Sequence, residues 1–272
     1  MERQIERTLA VIGFFKKILT PKQLSYLRSF ISWISRLVSP FYARNLKMLA
    51  LIHGSNKWGK HWYAQHYENH FAHVRKKKLN ILEIGAGGYA SPTKGGASLR
   101  MWKYYFPKSV IYSVDIYDKS LIQEKRIKIF KGNQADVTFL MDVFKEVGSL
   151  DIIIDDGSHF NEHVLTSFEV LFPLLNERGI YVIEDVQMSY WPKFGGDSEN
   201  LNNPRTMMNF LKNLTDCLNH KEFIRPGYLP TYFDQNIVSI HFYHNIVFIY
   251  KGRNKEESIF IKDNDTDKEW IK

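Results

Sequence analysis

The stretch Ile152-Ile153-Ile154-Asp155-Asp156-Gly157-Ser158-His159 decides the fold class, because it joins an apolar run to a group of chemically active side chains. A second run, Tyr181-Val182-Ile183-Glu184-Asp185, has the same form. Apolar runs of this length are typical of strands buried on both faces of a parallel sheet. Ligands bind at the carboxyl ends of such strands. The two runs therefore predict one site, formed by Asp155, Asp156, His159, Glu184 and Asp185.

The chemistry of this predicted site follows from its charge. Neighbouring carboxylates repel one another, and burial makes each ionised form more costly. A hard divalent cation removes both problems, and ligand sets made of oxygen atoms suit Mg²⁺. The constellation therefore predicts metal-assisted chemistry, with the His159 imidazole beside the acids as a base.

The rest of the chain supplies an alternating pattern of strands and helices. Strands are predicted at residues 80–84, 110–115, 127–131, 150–154 and 180–183, and helices at 98–106, 137–147, 161–175 and 205–219. Residues 237–242 and 245–250 are predicted to form a hairpin at the sheet edge. The pattern indicates an α/β fold: a Rossmann-like, doubly wound, mostly parallel sheet with a C-terminal antiparallel hairpin and an N-terminal helical extension.

The chain is predicted to have three parts. Residues 1–50 form a basic amphipathic helical extension, residues 51–253 the α/β domain, and residues 254–272 a charged tail. Helices are expected at residues 3–19, from Thr20-Pro21 to Pro40, at 41–53 and at 61–75, because apolar residues recur there at helical spacing.

Charge and cysteine content limit the class of protein. The net charge is +8, and residues 1–50 alone hold nine basic and two acidic residues, so the remaining chain is close to neutral in total. A near-neutral body disfavours nucleic acid as a partner. The single cysteine, Cys217, excludes an internal disulfide and fits a reducing, cytoplasmic location. No signal peptide is evident, and the apolar run at residues 9–15 is too short to span a bilayer.

Three functions compete for the basic arm, residues 1–45. It could cap the active site, form the interface of a homo-oligomer, or lie on an anionic membrane surface. A homo-oligomer is expected, and peripheral membrane contact through residues 1–45 stays open.

A glycine-rich turn follows the first predicted strand, in the sequence Glu83-Ile84-Gly85-Ala86-Gly87-Gly88. Glycines allow a tight turn and a close approach of the backbone to a ligand. Asp115 ends the next strand, where an acidic residue can accept hydrogen bonds from ribose hydroxyls. The loop at residues 91–96 replaces the third glycine of a dinucleotide motif and argues against a bound pyrophosphate.

These motifs resemble those of class I S-adenosylmethionine-dependent methyltransferases. Within that class they are most similar to the metal-dependent sugar O-methyltransferases of macrolide biosynthesis, the mycinamicin type. They are more distantly similar to the cephalosporin hydroxylase and rhamnosyl O-methyltransferase group. The resemblance also rests on Gly95-Gly96-Ala97-Ser98-Leu99-Arg100-Met101-Trp102 and Ser189-Tyr190-Trp191-Pro192. It covers roughly residues 50–252 and assigns residues 51–253 to a class I methyltransferase domain.

The resemblance implies two cofactors, S-adenosylmethionine and Mg²⁺ or another divalent ion. The residues implied for the methyl donor are Glu83, Gly85, Gly87, Asp115, Gln134, Asp136 and Asp155. For Asp136, an N-cap of the following helix is an equal alternative. Asp155 is expected to orient its neighbours rather than to bind the ion. Asp156, Glu184 and Asp185 are implied as metal ligands, and His159 as the base.

The acceptor is expected to contact the loop after the second carboxylate pair. Aromatic faces pack against sugar rings, so Tyr190 and Trp191 are candidate substrate residues, together with Gln187. The alternative is that this loop is anchored in the core. The expected function is O-methylation of a sugar hydroxyl on a small-molecule glycoside, either a natural product or a glycolipid. Three alternatives stay open: a relative with hydroxylase-group chemistry, a methyltransferase of a non-sugar small molecule, and an inactive cofactor-binding scaffold.

Overall fold

The computed structural model describes residues 20–271, so the helix expected over residues 3–19 lies outside the described part. The chain divides into two compact units. We call residues 1–78 with 95–109 the helical unit, and residues 79–94 with 110–272 the sheet unit. The domain boundaries expected after residues 50 and 253 stay predictions. In the described part, no helix is both long enough and apolar enough to cross a bilayer.

Within residues 20–78 and 95–109, the helical unit contains four α-helices. They are α1 (Pro21–Val38), α2 (Leu46–His53), α3 (Ala64–Phe71) and α4 (Ala97–Tyr105), and a 3₁₀ turn at Ser39–Tyr42 follows α1. Thr20 begins α1 with a capping box, in which its side chain accepts from the Gln23 N–H and Gln23 reaches back to the Thr20 backbone. Asn45 caps α2, which explains why this helix begins later than the expected residue 41.

Aromatic rings fill the interior of the helical unit. The rings of Tyr67 and Trp102 meet edge to face at 4.8 Å between centroids, and those of Phe71 and Phe106 lie 5.6 Å apart. All four side chains are fully buried. Such ring pairs contribute about 1 kcal/mol each beyond the burial of their area.

Within residues 79–94 and 110–271, the sheet unit contains seven strands and four α-helices. The strands are β1 (Asn80–Ile84), β2 (Val110–Asp115), β3 (Ile127–Lys131), β4 (Leu150–Asp155), β5 (Leu175–Glu184), β6 (Ile237–Tyr243) and β7 (Ile246–Lys251). The helices are α5 (Val137–Val147), α6 (Asn161–Leu174), α7 (Met207–Cys217) and α8 (Tyr232–Asn236). The strand order is β3-β2-β1-β4-β5-β7-β6, with β7 antiparallel to both neighbours and the other pairs parallel. This arrangement confirms the expected fold class.

The strand order places a ligand site between β1 and β4. The chain first adds β2 and β3 on one side of β1, and then returns to add β4 on the other side. Open α/β sheets bind ligands at such a reversal, beyond the carboxyl ends of the strands. The register pairs Ile84 with Asp155, and Asp155 with Ile183. Because the three strand ends are level, the residues that follow them emerge at one edge of the sheet.

The structure extends one of the elements expected from sequence and adds another. Strand β5 begins at Leu175 rather than at residue 180, with a register shift between Leu150 and Ile152 on the neighbouring strand. Helix α8 was not expected, because it spans only five residues. In the charged tail, the buried Asn264 donates to the carbonyls of His220 and Phe223 at 2.8 and 2.9 Å.

Candidate active site

The glycine turn after β1 lies directly against the end of β4. Gly85 has φ +97°, and its N–H donates to the Val114 carbonyl at 2.7 Å. A Cβ at this position would lie 2.2 Å from the carbonyl oxygen of Asp156. Glycine is therefore required for two reasons, the left-handed backbone and the close approach. The same contact joins the predicted cofactor turn to the predicted metal loop.

We expect Gly85→Ala to lower the free energy of unfolding by at least about 3 kcal/mol, because it adds a backbone clash to a strained φ. Gly148→Ala is the matched control: Gly148 has φ +82°, but a Cβ there would meet nothing within 4 Å. The control should cost only about 1 kcal/mol. Urea unfolding of both variants measures the difference, and equal losses would show that the contact with Asp156 is unimportant.

Asp115 contacts the glycine turn through one carboxylate oxygen and the loop after β2 through the other. Oδ2 accepts from the Ala86 N–H and Oδ1 from the Tyr117 N–H, each at 2.9 Å. A carboxylate oxygen has more than one acceptor site, so these contacts leave capacity for hydroxyl donors. The carboxylate lies at the end of β2 and is partly exposed. Its expected contact with a ribose stays a prediction that this geometry allows.

Lys119 organises the loop that follows the glycine turn. Its ammonium group donates to the carbonyls of Tyr89, Ser91 and Lys94, the last two at 2.9 and 3.1 Å, and its side chain is almost fully buried. These contacts use all three N–H donors of the ammonium group. The loop that replaces the third glycine is therefore held in a defined shape.

A buried hydrogen-bond network supports the loop after β4. The Gln134 amide donates to Asp155 at 3.2 Å, and its Oε1 accepts from the Ser158 N–H at 2.7 Å. The Ser167 hydroxyl donates to the other Asp155 oxygen. A Cβ at Gly157 would lie 2.1 Å from Gln134 Oε1, so only glycine allows this approach. Sequence reasoning missed Ser167, which lies on α6.

The Asp155 carboxylate is the buried centre of this network. Burial raises the pKa of Asp155 to about 6, and the rise is opposed by Ser167, by the charge of His159, by Gln134 and by the Gly157 N–H. Its oxygens are engaged by Ser167 and Gln134 rather than aimed at an open site. This placement fits the expectation that Asp155 orients its neighbours.

We expect Gln134→Ala to lower the free energy of unfolding by about 3 kcal/mol, because Asp155 and the Ser158 N–H would lose buried partners. Gln123→Ala is the matched control, since Gln123 also accepts from a backbone N–H, that of Ile129 at 2.8 Å, but is exposed. The control should cost less than about 1 kcal/mol. Denaturant titrations compare the two, and a Gln134 loss no larger than the control's would rule out the network's supporting role.

Three of the predicted residues converge on one potential ion site. Asp156, His159 and Asp185 each offer a ligand atom, and these atoms lie within 4.8 Å of one another. His159 Nε2 is 3.8 Å from Asp156 Oδ1 and 3.7 Å from Asp185 Oδ2. The side chains are between 12% and 19% exposed, so the cluster is sheltered but reachable from solvent.

The backbone of this cluster is strained. His159 has φ +60° and Asp185 has φ +54°, although neither is glycine. Left-handed backbone at such residues costs on the order of 1 kcal/mol or more and persists where the surrounding structure enforces it. On the His159 side, the preceding residue Ser158 is held by its N–H bond to the buried Gln134 Oε1. Strain at two members of one cluster is typical of a functional site.

The other predicted site residues occupy three kinds of place. Glu184 is buried at the end of β5 and lies outside the three-residue cluster. Glu83 is fully buried within β1. Asp136 is exposed and caps α5 by accepting from the Phe139 N–H at 3.0 Å, which is the alternative role considered for it. The cofactor and metal roles of these residues, and of Gly87, stay predictions.

Asn161 anchors the loop after Asp185. Its amide donates to the carbonyls of Met188 and Phe194, at 3.2 and 2.8 Å, and its Oδ1 accepts from the Met207 N–H at the start of α7. A Cβ at Gly196 would lie 2.4 Å from the Met188 carbonyl oxygen. These contacts favour an anchored loop. Sequence reasoning missed Asn161, because its partners lie 27 to 46 residues away.

We call Asp156, His159 and Asp185 the ion cluster. The anchored loop presents aromatic rings beside it. Phe160 follows His159 directly, and its ring lies 5.4 Å from that of Phe194, which in turn lies 6.2 Å from the ring of Trp191. Trp191 is half exposed. The carboxamide oxygen of Gln187 is buried and has no hydrogen-bond partner among the described residues. This oxygen is a hydrogen-bond acceptor, so a hydroxyl or water that donates to it would satisfy it, whereas another acceptor would not.

The residues fit both groups that the sequence implies. Two carboxylates and an imidazole at one sheltered edge form a donor set that divalent cations bind. Gly85, Gly87 and Gly88 all have positive φ, and a Cβ at Gly87 would meet nothing within 4 Å. The backbone of the turn is thus open to a close ligand, and Asp115 stands beside it.

Comparison with known proteins gives a consistent result. No family model matches the chain. It is 48% identical over 200 residues to mycinamicin VI 2''-O-methyltransferase of Micromonospora griseorubida. The aligned stretch covers 73% of this chain and 50% of the relative. It is 47% identical over 205 residues to demethylmacrocin O-methyltransferase of Streptomyces fradiae, which covers 75% and 52%. The chain spans about half the length of the curated relatives it matches.

Solved structures agree with these relatives. The MycE methyltransferase from the mycinamycin biosynthetic pathway, in complex with Mg and SAH, superposes with a TM-score of 0.77 at 46% identity. The match covers 79% of this chain and 55% of that one. A further complex of the same enzyme also contains mycinamycin VI and gives a TM-score of 0.76. The resemblance drawn from the motifs is therefore confirmed.

Proposed function

We propose that this chain, a class I methyltransferase homologous to the macrolide and tetracenomycin sugar O-methyltransferases, methylates a sugar hydroxyl of a glycoside. The methyl donor is S-adenosylmethionine, and the reaction uses Mg²⁺ or another divalent ion. The observation that carries the proposal is the convergence of Asp156, His159 and Asp185 beside the glycine turn at Gly85. One edge of the sheet thus combines a donor turn, an ion cluster and a base.

The two bound groups supply a transferable methyl group and a positive charge that stabilises a developing alkoxide. The protein positions the two groups. Gly85 and Asp115 fix the donor turn, while Asp156 and Asp185 provide carboxylates for the ion. Orientation of two reactants in this way can account for much of a rate enhancement.

His159 takes the proton from the acceptor hydroxyl in this proposal. Its Nε2 lies at the ion cluster, where that hydroxyl would be held, and its side chain is partly exposed to an incoming substrate. The strained backbone and the Gln134 network keep the ring at this place. A positioned base of this type typically contributes 10² to 10⁴ in rate.

The acceptor belongs to the small-molecule glycosides. The half-exposed ring of Trp191, near Tyr190 and beside Phe194, offers an apolar face to a sugar or its aglycone. The unsatisfied Gln187 oxygen offers an acceptor for a sugar hydroxyl. A homo-oligomer and a cytoplasmic location stay predictions, as does the absence of a nucleic-acid partner.

Calorimetric titration with S-adenosylhomocysteine, with and without Mg²⁺, tests the proposal first. We expect saturable binding, and then methylation of a deoxysugar glycoside in an acceptor screen. Absence of cofactor binding would refute the proposal. Binding without turnover of any glycoside would favour a non-sugar acceptor or an inactive scaffold instead.

A further inference from the structure

Charge is divided unequally between the two units. Residues 20–78 and 95–109, the described part of the helical unit, hold fourteen Lys and Arg residues and one acidic residue, Glu68. The sheet unit holds 19 basic and 26 acidic residues. The near-neutral total outside residues 1–50 therefore conceals a strongly basic unit and an acidic one. A field of one sign attracts a surface of the opposite sign.

Helix α1 exposes a row of large apolar side chains to solvent. We call Tyr26, Phe30, Trp33, Leu37 and Phe41 the apolar stripe; the first four lie on one face of α1, and Phe41 follows in the 3₁₀ turn. Each is more than half exposed, and Phe41 is 87% exposed. The rings of Phe30 and Trp33 stack at 6.2 Å. Contiguous exposed apolar surface of this kind marks an interaction site.

The opposite face of α1 makes the contacts within the unit. Ser35 lies half a turn from the stripe and donates to the Ile52 carbonyl at 3.1 Å. The buried Ser39 lies 2.9 Å from His53 Nε2. Small polar residues thus face α2, and aromatic residues face outward. A helix of a globular protein usually packs its apolar face against the core, and α1 instead exposes these aromatic side chains.

A basic cluster adds to the charge of the same unit. Arg75, Lys76, Lys77 and Lys78 are consecutive, and Arg75 and Lys76 line a surface cavity of about 350 Å³ together with Arg44, His73 and the acidic Glu68. Arg75 is fixed in place by hydrogen bonds to the carbonyls of Ala43 and Tyr105. Basic residues clustered in this number attract anionic headgroups, and each residue near the surface adds to the attraction.

We propose that the helical unit docks on the surface of an anionic phospholipid membrane, with the apolar stripe of α1 inserted among the headgroups. An aromatic stripe on a helix without acidic residues is typical of helices that lie in the membrane interface. The positive charge of the helical unit would attract the anionic headgroups, and Trp33 and the other rings of the stripe would be buried among them. The proposal does not depend on the methyltransfer reaction.

Two other partners fit the observations less well. A symmetric contact between the stripes of two copies would bring two strongly basic units together, which like charge opposes. Nucleic acid would match the charge, but the exposed apolar side chains of Leu37 and Phe41 would gain little from phosphates. An anionic lipid surface satisfies both the charge and the apolar stripe.

Flotation of the full chain with lipid vesicles tests the proposal. We expect binding to vesicles of phosphatidylcholine with 30% phosphatidylglycerol at low salt, and little binding to phosphatidylcholine alone. Lys76→Gln, Lys77→Gln and Lys78→Gln together should weaken binding on the order of 100-fold. The matched control neutralises three exposed lysines of the sheet unit, Lys125, Lys255 and Lys262, and should bind as the unchanged chain does.

A second variant isolates the stripe. Phe30→Ser with Trp33→Ser should abolish flotation while leaving the thermal unfolding midpoint within a few degrees, because both side chains are exposed. Failure of the full chain to float with anionic vesicles would overturn the proposal. Undiminished flotation of the stripe variant would also overturn it. If the stripe variant floated like the unchanged chain and differed from it only in oligomeric mass in light scattering, the stripe would belong to an interface between copies and the proposal would be wrong.

Discussion

Asp185→Asn should lower the affinity for a divalent ion at least about 100-fold and kcat by about 10³, because it removes a charged ligand atom from the ion cluster. Asparagine tolerates the left-handed backbone that residue 185 adopts, so the fold should be retained. Calorimetric titration with Mn²⁺ and turnover at saturating Mg²⁺ measure the two effects. Cofactor binding should change much less than ion binding.

The chain offers a matched control for this substitution. Asp263 is also an aspartate with positive φ, +51°, and it is exposed on the charged tail. Asp263→Asn repeats the chemical change and the backbone conformation away from the ion cluster. It should leave ion affinity and kcat unaltered. If Asp185→Asn behaves like this control, Asp185 has no part in ion binding.

His159→Asn should lower kcat by 10² to 10⁴, because no base would remain to accept the hydroxyl proton. Asparagine again suits the backbone, since residue 159 has φ +60°. The loss should shrink as the pH rises and the acceptor hydroxyl ionises more readily without help. Initial rates from pH 6 to 10 at saturating substrates measure this behaviour.

Ion binding separates two roles for His159. Its Nε2 belongs to the same cluster as the two carboxylates, so it could be a base or a ligand. If His159 is a base, the Mn²⁺ affinity of His159→Asn should stay within about threefold of the original. If His159 is a ligand, the affinity should fall much further. His241→Asn, at a histidine on β6, is the control for imidazole loss elsewhere. A large fall in Mn²⁺ affinity for His159→Asn would contradict the assignment as base.

The parts of the site that lie on strand ends were predictable from sequence. Ile152 to Ile154 and Tyr181 to Ile183 are apolar enough to be buried on both faces, and parallel strands end at the same edge. The carboxylates that follow them were therefore expected to meet, and Asp156 and Asp185 do meet. The fold class, with its C-terminal hairpin, follows from the same periodicity and is confirmed.

The support around these residues was not predictable, because it depends on contacts between distant segments. Ser167 and Gln134 reach Asp155 from α6 and from the turn after β3, and no spacing in the sequence pairs them. Asn161 is equally unremarkable in sequence, although it holds three segments together. The outward face of α1 was hidden for a related reason. Periodicity identifies an amphipathic helix, but it does not tell which face its neighbours cover.

Transfer of a labelled methyl group from S-adenosylmethionine to a deoxysugar glycoside, measured before and after chelation of divalent ions, tests the central proposal most directly. We predict that transfer stops when the ions are removed, returns when Mg²⁺ is added, and fails to return in Asp185→Asn. Transfer that continues unchanged after complete removal of divalent ions would contradict the ion site at Asp156 and Asp185. Failure to methylate any glycoside, with cofactor and ion both bound, would contradict the proposed activity.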